Sequence, residues 1–267
     1  MGFRFATFAL AAWLALNTAF GTEETKTRLT PTELAKQDQN PIARILRVQI
    51  EDNIQFGFGP HDGTLNFLRI QPAVAFGLTK DWSLVMRPVI PIVHQPWPES
   101  ADGLGDIGLQ LFLTPHTKGK FIWGFGPALV FPSATHEIIG TKKWSAGPTG
   151  IVVYSHGPWV VGLLLNQIWS FAGDDNRRGV DAMTLRPIIN FNLPHGWYIT
   201  TSPSMAANWK SPNAERWLVP VGGGVGKAFV LGSYGLTSTV EAYAHVLSPD
   251  IGPDWQMRFQ VTVLFPK

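Results

Sequence analysis

The chain of 267 residues contains no cysteine, and charged residues make up only 15% of it, against 45% hydrophobic residues. The missing cysteines exclude a disulfide framework, a thiolate metal site and a cysteine nucleophile. A net charge of +2, scattered along the chain, does not indicate a nucleic-acid partner. Ligand spacing typical of a zinc site is also missing. We therefore expect no metal, no cofactor and no nucleic acid.

Long apolar runs are equally scarce, and none approaches the roughly 18 uninterrupted residues that a transmembrane helix requires. The run from Phe5 to Leu16 is shorter, follows Arg4, and precedes small residues at Ala19 and Gly21. This pattern predicts a secretory signal peptide over residues 1–21, and the short run disfavours a membrane anchor. We expect the mature chain to leave the cytoplasm.

The pattern that organises the rest of the chain is an alternation of apolar and polar residues, clearest from Trp255 to Phe265. Its odd positions carry Trp, Met, Phe, Val, Val and Phe, and its even positions carry Gln, Arg, Gln, Thr and Leu. In a β-strand this period of two places the two sets on opposite faces. The length of the segment and the aromatic residue at each end indicate a strand that crosses a lipid bilayer.

From Arg44 onward the sequence contains twelve candidate strands, separated alternately by tight turns and by longer polar loops. An even number places both chain ends on the side of the tight turns, which is the periplasmic side in bacterial outer-membrane barrels. We predict an all-β fold, a single transmembrane antiparallel up-and-down β-barrel of about twelve strands. Their predicted bounds are 44–58, 64–79, 82–95, 104–114, 120–131, 143–155, 158–171, 180–193, 196–209, 215–229, 235–247 and 254–265.

Prolines inside these strands depart from the pattern, because proline cannot donate a hydrogen bond to the ladder. We expect β-bulges that add curvature at these positions. The prolines are Pro72, Pro88, Pro91, Pro127, Pro148, Pro187, Pro203 and Pro220.

Tryptophan provides an independent indication of a membrane barrel. In the predicted topology the tryptophans form one belt at each end of the strands. Such girdles are typical of barrels in lipid, because the ring is apolar while its N–H prefers the headgroup region. The predicted aromatic girdle consists of Trp82, Trp159 and Trp197 near the tight turns and of Trp144, Trp169, Trp209, Trp217 and Trp255 near the longer loops.

A polar segment precedes the barrel and carries one short helical signal from Thr30 to Gln37. Thr30 is a suitable N-cap, Pro31 fits the first helical position, and Glu33 can complete a capping box. Two interpretations stay open, a solvated periplasmic lead-in or a plug that enters the lumen. The predicted organisation is a signal peptide over 1–21, a periplasmic N-terminal segment with a short helix over 22–43, and an outer-membrane barrel over 44–267.

With the apolar set facing lipid, charged side chains of both signs point toward the lumen. One interpretation is an internal salt-bridge network that seals the barrel. The other is a narrow water-filled path in which excess arginine favours anionic or aromatic solutes. We favour a passive channel for a small-molecule solute, with a sealed structural or docking barrel as the alternative. The predicted lumen-lining residues are Arg69, Arg87, Asp106, Arg186, Glu241 and Arg258.

Two other chemistries are incomplete in the sequence. The glycine-rich run Gly222–Lys227 lacks the first glycine and the Ser or Thr of a phosphate-binding loop. His245 shares an inward face with Glu241 and Tyr243, but no serine is placed beside it, so the geometry of acyl transfer is missing. We therefore predict that the chain is not an enzyme, and a lipid-modifying enzyme is the least favoured alternative.

Several motifs resemble a known family. They are Glu33-Leu34-Ala35-Lys36-Gln37, Gly157-Pro158-Trp159-Val160-Val161-Gly162, Ile168-Trp169-Ser170-Phe171-Ala172-Gly173-Asp174, Val219-Pro220-Val221-Gly222-Gly223-Gly224 and Gly252-Pro253-Asp254-Trp255-Gln256. Together they resemble the bacterial outer-membrane β-barrel family associated with the meta-pathway of phenol degradation, across nearly the whole mature chain. The resemblance implies an outer-membrane transporter of small compounds, with aromatic compounds as the associated class. We accordingly expect outer-membrane lipid around the barrel, and recognition of the C-terminal strand by the barrel-assembly machinery.

Overall fold

The structure, a computed structural model, describes residues 30–117 and 119–265, so the predicted signal peptide and residues 22–29 lie outside it. The described residues form one α-helix, α1 (Pro31–Asp38), three short 3₁₀ helices and fourteen strand segments. None of the helices in this part of the chain has the length and hydropathy needed to cross a membrane. The strand segments are β1 (Arg47–Phe58), β2 (Gly63–Gly77), β3 (Trp82–Gln95), β4 (Ala101–Leu104), β5 (Ile107–Pro115), β6 (Phe121–Phe131), β7 (Lys143–His156), β8 (Trp159–Gly173), β9 (Asp181–Asn192), β10 (Trp197–Thr201), β11 (Met205–Asn208), β12 (Trp217–Leu231), β13 (Tyr234–Leu247) and β14 (Trp255–Leu264).

These segments form a closed antiparallel barrel. β1 pairs with β14 from Arg47 opposite Leu264 to Phe56 opposite Trp255, and this pairing joins the two ends of the sheet. β4 and β5 both pair with β3, while β10 and β11 both pair with β9 and β12, so each couple is one interrupted strand. Counted in this way the barrel has twelve strands, which confirms the predicted fold class. Each strand begins and ends within three residues of its predicted bounds.

The period of two decides which side chains face inward. On β1, Gln49 and Glu51 are buried, whereas Ile50 between them is 44% exposed on the outer surface. A continuous apolar outer face suits a bilayer, because the closed ladder already pairs the backbone polar groups. The barrel is therefore built to span a membrane. Other exposed apolar residues around it are Phe125, Leu163, Leu165, Ile189, Ile199, Val221 and Val225.

Tryptophan rings lie at both ends of the strands. At the tight-turn end Trp82 packs edge-on against Trp123, with 5.9 Å between ring centroids. At the long-loop end Trp255 stacks on Phe56 at 4.2 Å. Six of the eight tryptophans expected in the girdle are at least 36% exposed. Rings that project outward at both ends suit the two interfaces of a bilayer.

Proline breaks the ladder less often than the sequence suggests. Pro203 lies in the gap between β10 and β11, and Pro220 lies at a change of register between β12 and β13. Beside Pro148 the ladder omits pairs but keeps its register, and Pro187 is paired in an unbroken ladder. The expectation of a bulge at each proline is therefore wrong. An antiparallel ladder alternates bonded and non-bonded pairs, so a proline at a non-bonded position costs no hydrogen bond.

The predicted capping box begins α1. The backbone N–H of Glu33 donates to Thr30 Oγ1 at 3.2 Å, and the backbone N–H of Thr30 donates to Glu33 Oε2 at 2.8 Å. The hydrogen bond from the Thr30 backbone N–H lowers the pKa of the Glu33 carboxyl below its ordinary value. These reciprocal bonds, together with Pro31 in the first turn, explain why the helix begins where the sequence predicts.

Residues 30–46, called the plug below, lie inside the tight-turn end of the barrel. Lys36 Nζ donates to the carbonyl oxygen of Gly157 at 2.7 Å, and the side-chain amides of Gln39 and Asn192 exchange hydrogen bonds at 3.0 and 2.9 Å. These contacts match a segment that enters the lumen rather than a solvated lead-in. The apolar side of the helix packs in a cluster of Leu34, Ala35, Tyr198, Ala228 and Leu264.

Ile42 packs the plug against the opposite wall of the barrel. There it joins a buried apolar cluster, and a Cβ built on Gly124 would lie 3.1 Å from Ile42 Cδ1. This placement explains why Val85 and Arg87 share one face of β3. The wall is apolar where the plug covers it and polar farther along the lumen. The other members of the cluster are Phe112, Ile151, Val153, Val160, Leu164 and Ile188.

Gly226 leaves room for the ring of Tyr198, and this contact can be tested. A Cβ at Gly226 would lie 2.2 Å from Tyr198 Cζ. We expect Gly226→Val to lower the free energy of unfolding by about 1–3 kcal/mol through overpacking, as measured by urea unfolding of the refolded barrel. Gly77→Val is the control, because nothing lies within 4 Å of a Cβ there. Equal destabilisation by the two changes would contradict this packing.

Candidate functional site

Glu51 occupies the middle of the lumen and joins two walls of the barrel. Its side chain has no exposed surface. Arg69, directly opposite on β2, approaches Glu51 Oε1 with its Nη1 at 2.9 Å. Arg186, on the distant strand β9, approaches Glu51 Oε2 with its Nη2 at 3.0 Å. Because β1 and β9 lie far apart around the barrel, the second pair spans the lumen.

A second charge pair lies beside the first. Arg258 of β14 is opposite Glu241 of β13, and its Nη2 lies 2.6 Å from Glu241 Oε2. The same Nη2 donates to the hydroxyl of Tyr243 at 2.7 Å, and this hydroxyl donates to Glu241 Oε1 at 2.5 Å. Arg258 Nη1 donates to the backbone carbonyl oxygen of Ser202 at 2.9 Å. Charge-assisted bonds of this kind hold the guanidinium in one orientation.

Ser202 lies in the interruption between β10 and β11. Because of this interruption, its backbone N–H and carbonyl oxygen are free to bond side chains in the lumen. Its hydroxyl accepts from Arg186 Nε at 3.0 Å, and its backbone N–H donates to Tyr243 Oη at 3.0 Å. In an unbroken strand these backbone groups would be committed to the ladder. The gap therefore connects the two charge pairs through one residue.

Arg87 differs from the other arginines of the lumen because it bonds side-chain amides and has no carboxylate within 4.0 Å among the described residues. Its Nη2 donates to Gln71 Oε1 at 3.0 Å and its Nη1 to Gln110 Oε1 at 3.2 Å. Gln110 in turn donates to Asn166 Oδ1 at 3.1 Å, and Asn166 also contacts the hydroxyl of Thr149. Arg87 is 5% exposed, so its charge is buried among dipoles.

Arg47 fastens the plug to the wall. Its guanidinium donates to the backbone carbonyl oxygens of Asp38, Asn40 and Pro41 at 2.6, 3.2 and 2.8 Å. It also lies 3.5 Å from the carboxylate of Asp38, which accepts a 2.5 Å hydrogen bond from Thr237. The plug is thus held by polar bonds on its lumenal side as well as by its apolar contacts.

One cavity lies on each side of the plug. A cavity of about 1090 Å³ opens at the tight-turn end, between the plug and the walls. A smaller one of about 70 Å³ lies on the lumenal side, bordered by Arg47, Arg87 and Arg186 together with Tyr198 and Glu241. The plug therefore separates a wide vestibule from a narrow space lined by arginine.

The network has an excess of positive charge. Five arginines meet three carboxylates, and Arg87 is the one of the five that has no carboxylate within 4.0 Å among the described residues. Such an excess gives the interior a positive electrostatic potential, and the exclusion of water strengthens it. The members are Arg47, Arg69, Arg87, Arg186 and Arg258 with Asp38, Glu51 and Glu241.

The structure brings together five of the six side chains expected to line the lumen, and Asp106 stands apart. Asp106 lies between β4 and β5, where its Oδ2 accepts hydrogen bonds from the backbone N–H and hydroxyl of Thr141, both at 2.7 Å. Its Oδ1 accepts from the backbone N–H of Ala134 at 3.2 Å. Asp106 therefore anchors the β6–β7 loop at the long-loop end.

Two further network residues, Arg47 and Glu51, also have an inward position in the alternation of β1. Asp38 could not be found in this way, because α1 has no period of two. Its role depends on how deep the plug enters the barrel, and that depth is set by contacts with distant strands.

The environment of His245 differs from a catalytic arrangement. Its Nδ1 lies 2.7 Å from the carbonyl oxygen of Pro253, and its Nε2 lies 3.3 Å from Gln256 Oε1. Glu241 and Tyr243 turn instead toward Arg258. Within residues 30–117 and 119–265 there is also no cluster of three or more His, Asp or Glu residues arranged to hold a metal ion.

No protein-family model matches the sequence, and no curated protein matches it. Among solved structures, an outer membrane channel from Pseudomonas putida F1 is similar, with a TM-score of 0.63 and 14% identity over 85% of this chain and 97% of that chain. The NanC porin has a TM-score of 0.52 and 10% identity over 83% of this chain and 100% of that chain. At these identities the likeness shows the fold, which is that of outer-membrane β-barrels.

The network makes Glu51 a sensitive position. We expect Glu51→Gln to lower the free energy of unfolding by about 3–5 kcal/mol, because Arg69 and Arg186 lose a buried counter-charge. Urea unfolding measures the change, with Asp175→Asn in an exposed loop as the control. Adding Arg186→Gln to Glu51→Gln should recover part of the loss, and purely additive losses would show that the two side chains are not coupled.

Proposed function

We propose that this protein is a passive channel of the bacterial outer membrane for small anionic solutes. The observation that carries the proposal is the excess of arginine in the lumen, above all Arg87, whose bonds to Gln71 and Gln110 leave its charge without a carboxylate partner among the described residues. A pore lined by fixed positive charge lowers the barrier for anions and raises it for cations.

The outer face and the fold support the proposed location. An apolar outer surface with aromatic residues at both ends suits a lipid bilayer. A signal peptide over residues 1–21 would direct the chain across the inner membrane, and the C-terminal strand β14 would be read by the barrel-assembly machinery. The similar structures bear the names of a channel and a porin, which favours a channel over an enzyme on this fold.

The solute class follows from the chemistry of guanidinium. Arg69 is 28% exposed and Arg186 is 15% exposed, so both retain surface toward the lumen while paired with Glu51. Guanidinium groups pair with carboxylates in a bidentate manner and stack on aromatic rings. Small carboxylates offer the first feature and aromatic carboxylates offer both, and an aromatic solute agrees with the resemblance to the family linked to phenol degradation.

In this proposal the plug is the closure of the path. It crosses the tight-turn end and is fastened to Arg47 and Thr237 on one side and to Asn192 on another. Its contacts with the wall are hydrogen bonds, the Arg47–Asp38 ion pair and apolar packing, so we expect it to separate from the wall without unfolding the strands. Conduction in the proposed function requires that it move.

A sealed structural barrel is the second candidate. It is favoured by the direct bond between Glu51 and Arg186, which crosses the lumen, and by the plug itself. A barrel with this design would have no conducting state, so the two candidates differ in a measurable property.

Removal of the plug distinguishes the two candidates. In planar bilayers we expect the mature chain without residues 22–42 to show larger and more frequent conductance steps than the full mature chain, because the arginine-lined space then opens to the vestibule. The control is Lys120→Gln, an exposed change near a tight turn, which should leave conductance unchanged. Silence in both the full and the shortened chain would support the sealed barrel instead.

Ion selectivity tests the role of the arginines. We expect Arg87→Ala with Arg186→Ala to reduce the preference for anions by roughly half or more, because fixed lumenal charge is the source of the preference. The reversal potential in a KCl gradient is the measurement. Lys227→Ala is the matched control, because Lys227 lies against the outward ring of Trp197. An unchanged reversal potential in the double variant would contradict this role.

A further inference from the structure

At the long-loop end, two outward tryptophans form a fixed platform on the rim of the barrel. Trp209 donates its indole N–H to Gln167 Oε1 at 3.0 Å and its backbone N–H to the carbonyl oxygen of Asp181 at 2.8 Å. Trp217 packs edge-on against it, with 5.7 Å between ring centroids. Both rings follow the outward positions of β11 and β12, so they lie at the expected boundary between acyl chains and headgroups.

Three basic side chains surround this platform. The guanidinium carbon of Arg216 lies 5.3 Å from the centroid of Trp209. Arg178, from the β8–β9 loop, donates to the backbone carbonyl oxygen of Lys210 in the β11–β12 turn. This bond joins the two connections, and a Cβ built on Gly179, next to Arg178, would lie 4.0 Å from Lys210 Cε. Arg178, Lys210 and Arg216 are called the basic rim patch below.

The charges of the patch are not neutralised by the described residues. Ion pairs within 4.0 Å occur elsewhere in residues 30–117 and 119–265, and none of them involves the patch. Asp181 and Glu215 are each bonded to a neutral N–H, from Gln167 Nε2 at 2.9 Å and from the backbone of Asp250 at 2.9 Å, and neither forms an ion pair with the patch. Arg178 and Lys210 are exposed.

We propose that the basic rim patch binds the phosphate group of an anionic lipid in the membrane leaflet next to the long loops. The inference rests on the proposed membrane location and is independent of conduction. Guanidinium and ammonium groups are the side chains that pair with phosphate. A cation directly above an outward tryptophan meets the headgroup of a lipid whose acyl chains lie against the ring. A lipid bound there ties the β8–β9 loop to the β11–β12 turn from outside the barrel.

The arrangement at the opposite end provides a contrast. There Lys227 Nζ lies 4.8 Å from the centroid of the Trp197 ring and 5.1 Å from that of the Phe229 ring, so one cation contacts two aromatic rings. The tight-turn end thus combines tryptophan with one cation, Lys227, among the residues that the structure describes there. This makes it a matched control for the effect of clustering.

Native mass spectrometry of the refolded mature chain in a neutral detergent tests the proposal. The probes are a glycolipid with two phosphates, its dephosphorylated form, and a zwitterionic phospholipid. The patch variant is Arg178→Gln, Lys210→Gln, Arg216→Gln, which keeps part of each apolar stem. The control variant is Lys80→Gln, Lys120→Gln, Lys227→Gln, which removes equal charge at the other end. We expect the patch variant to bind the phosphorylated lipid at least about tenfold more weakly, since each basic residue near an anionic lipid contributes about fivefold.

Each outcome decides the proposal. Selective binding of the phosphorylated lipid, lost in the patch variant and retained in the control variant, supports it. Equal binding of the dephosphorylated lipid, or equal loss in both variants, overturns it. Displacement of the lipid by millimolar inorganic phosphate would identify a site for the free anion and overturn the lipid assignment. Conductance of the same preparations in neutral bilayers reports channel function separately, and far-UV circular dichroism verifies that the patch variant has the same strand content as the unchanged chain.

Discussion

A carboxylate without exposed surface, that of Glu51, lies in the middle of the barrel between guanidinium groups from two different walls. A charge in this position is tolerable only while its partners are in place, because removing one partner leaves the other buried and uncompensated. Arg186 reaches Glu51 across the lumen and also bonds Ser202, which in turn accepts from Arg258. One carboxylate therefore fixes the orientation of side chains on both sides of the lumen, and the width of the remaining passage depends on it.

The plug depends on the same interior. Arg47, on the same face of β1 as Glu51, binds three carbonyl oxygens of the plug, so the strand that carries the central carboxylate also carries the fastening of the closure. On the tight-turn side of Arg47 the walls of the lumen are apolar and contact Ile42. On its long-loop side the walls are polar. A barrel of twelve strands is wide enough to need such filling, since barrels of about eight strands fill with wall side chains alone. In the proposed channel, closure and selectivity would therefore use adjoining layers of one lumen.

Much of the architecture could be predicted from the sequence because its signal is local. Alternation with a period of two identifies each strand and assigns the faces, so Arg69, Arg87, Arg186, Glu241 and Arg258 were expected on the inner face where the structure places them. Asp106 also has an inward position in the alternation, but it lies in the gap between β4 and β5 and bonds Thr141 of the β6–β7 loop. The depth of the plug and the gap at Ser202 depend on contacts between residues far apart in sequence. Periodicity contains no information about such contacts. The prediction of a bulge at each proline was wrong for a related reason, because the partner strands decide which residues of a ladder form hydrogen bonds.

The claim that most needs testing is that the plug is a removable closure. The chain has no cysteine, so a disulfide between Leu34→Cys and Gly235→Cys would be the sole one. A Cβ at Gly235 lies 3.0 Å from Leu34 Cγ, which places the two positions within reach of each other. Single-channel recording of this variant, before and after a reductant is added, compares a locked and a free plug in the same molecules. We expect silence while the disulfide is intact and conductance steps after reduction. Steps of equal size and frequency in both states, or silence in both, would contradict the claim that movement of the plug opens the barrel.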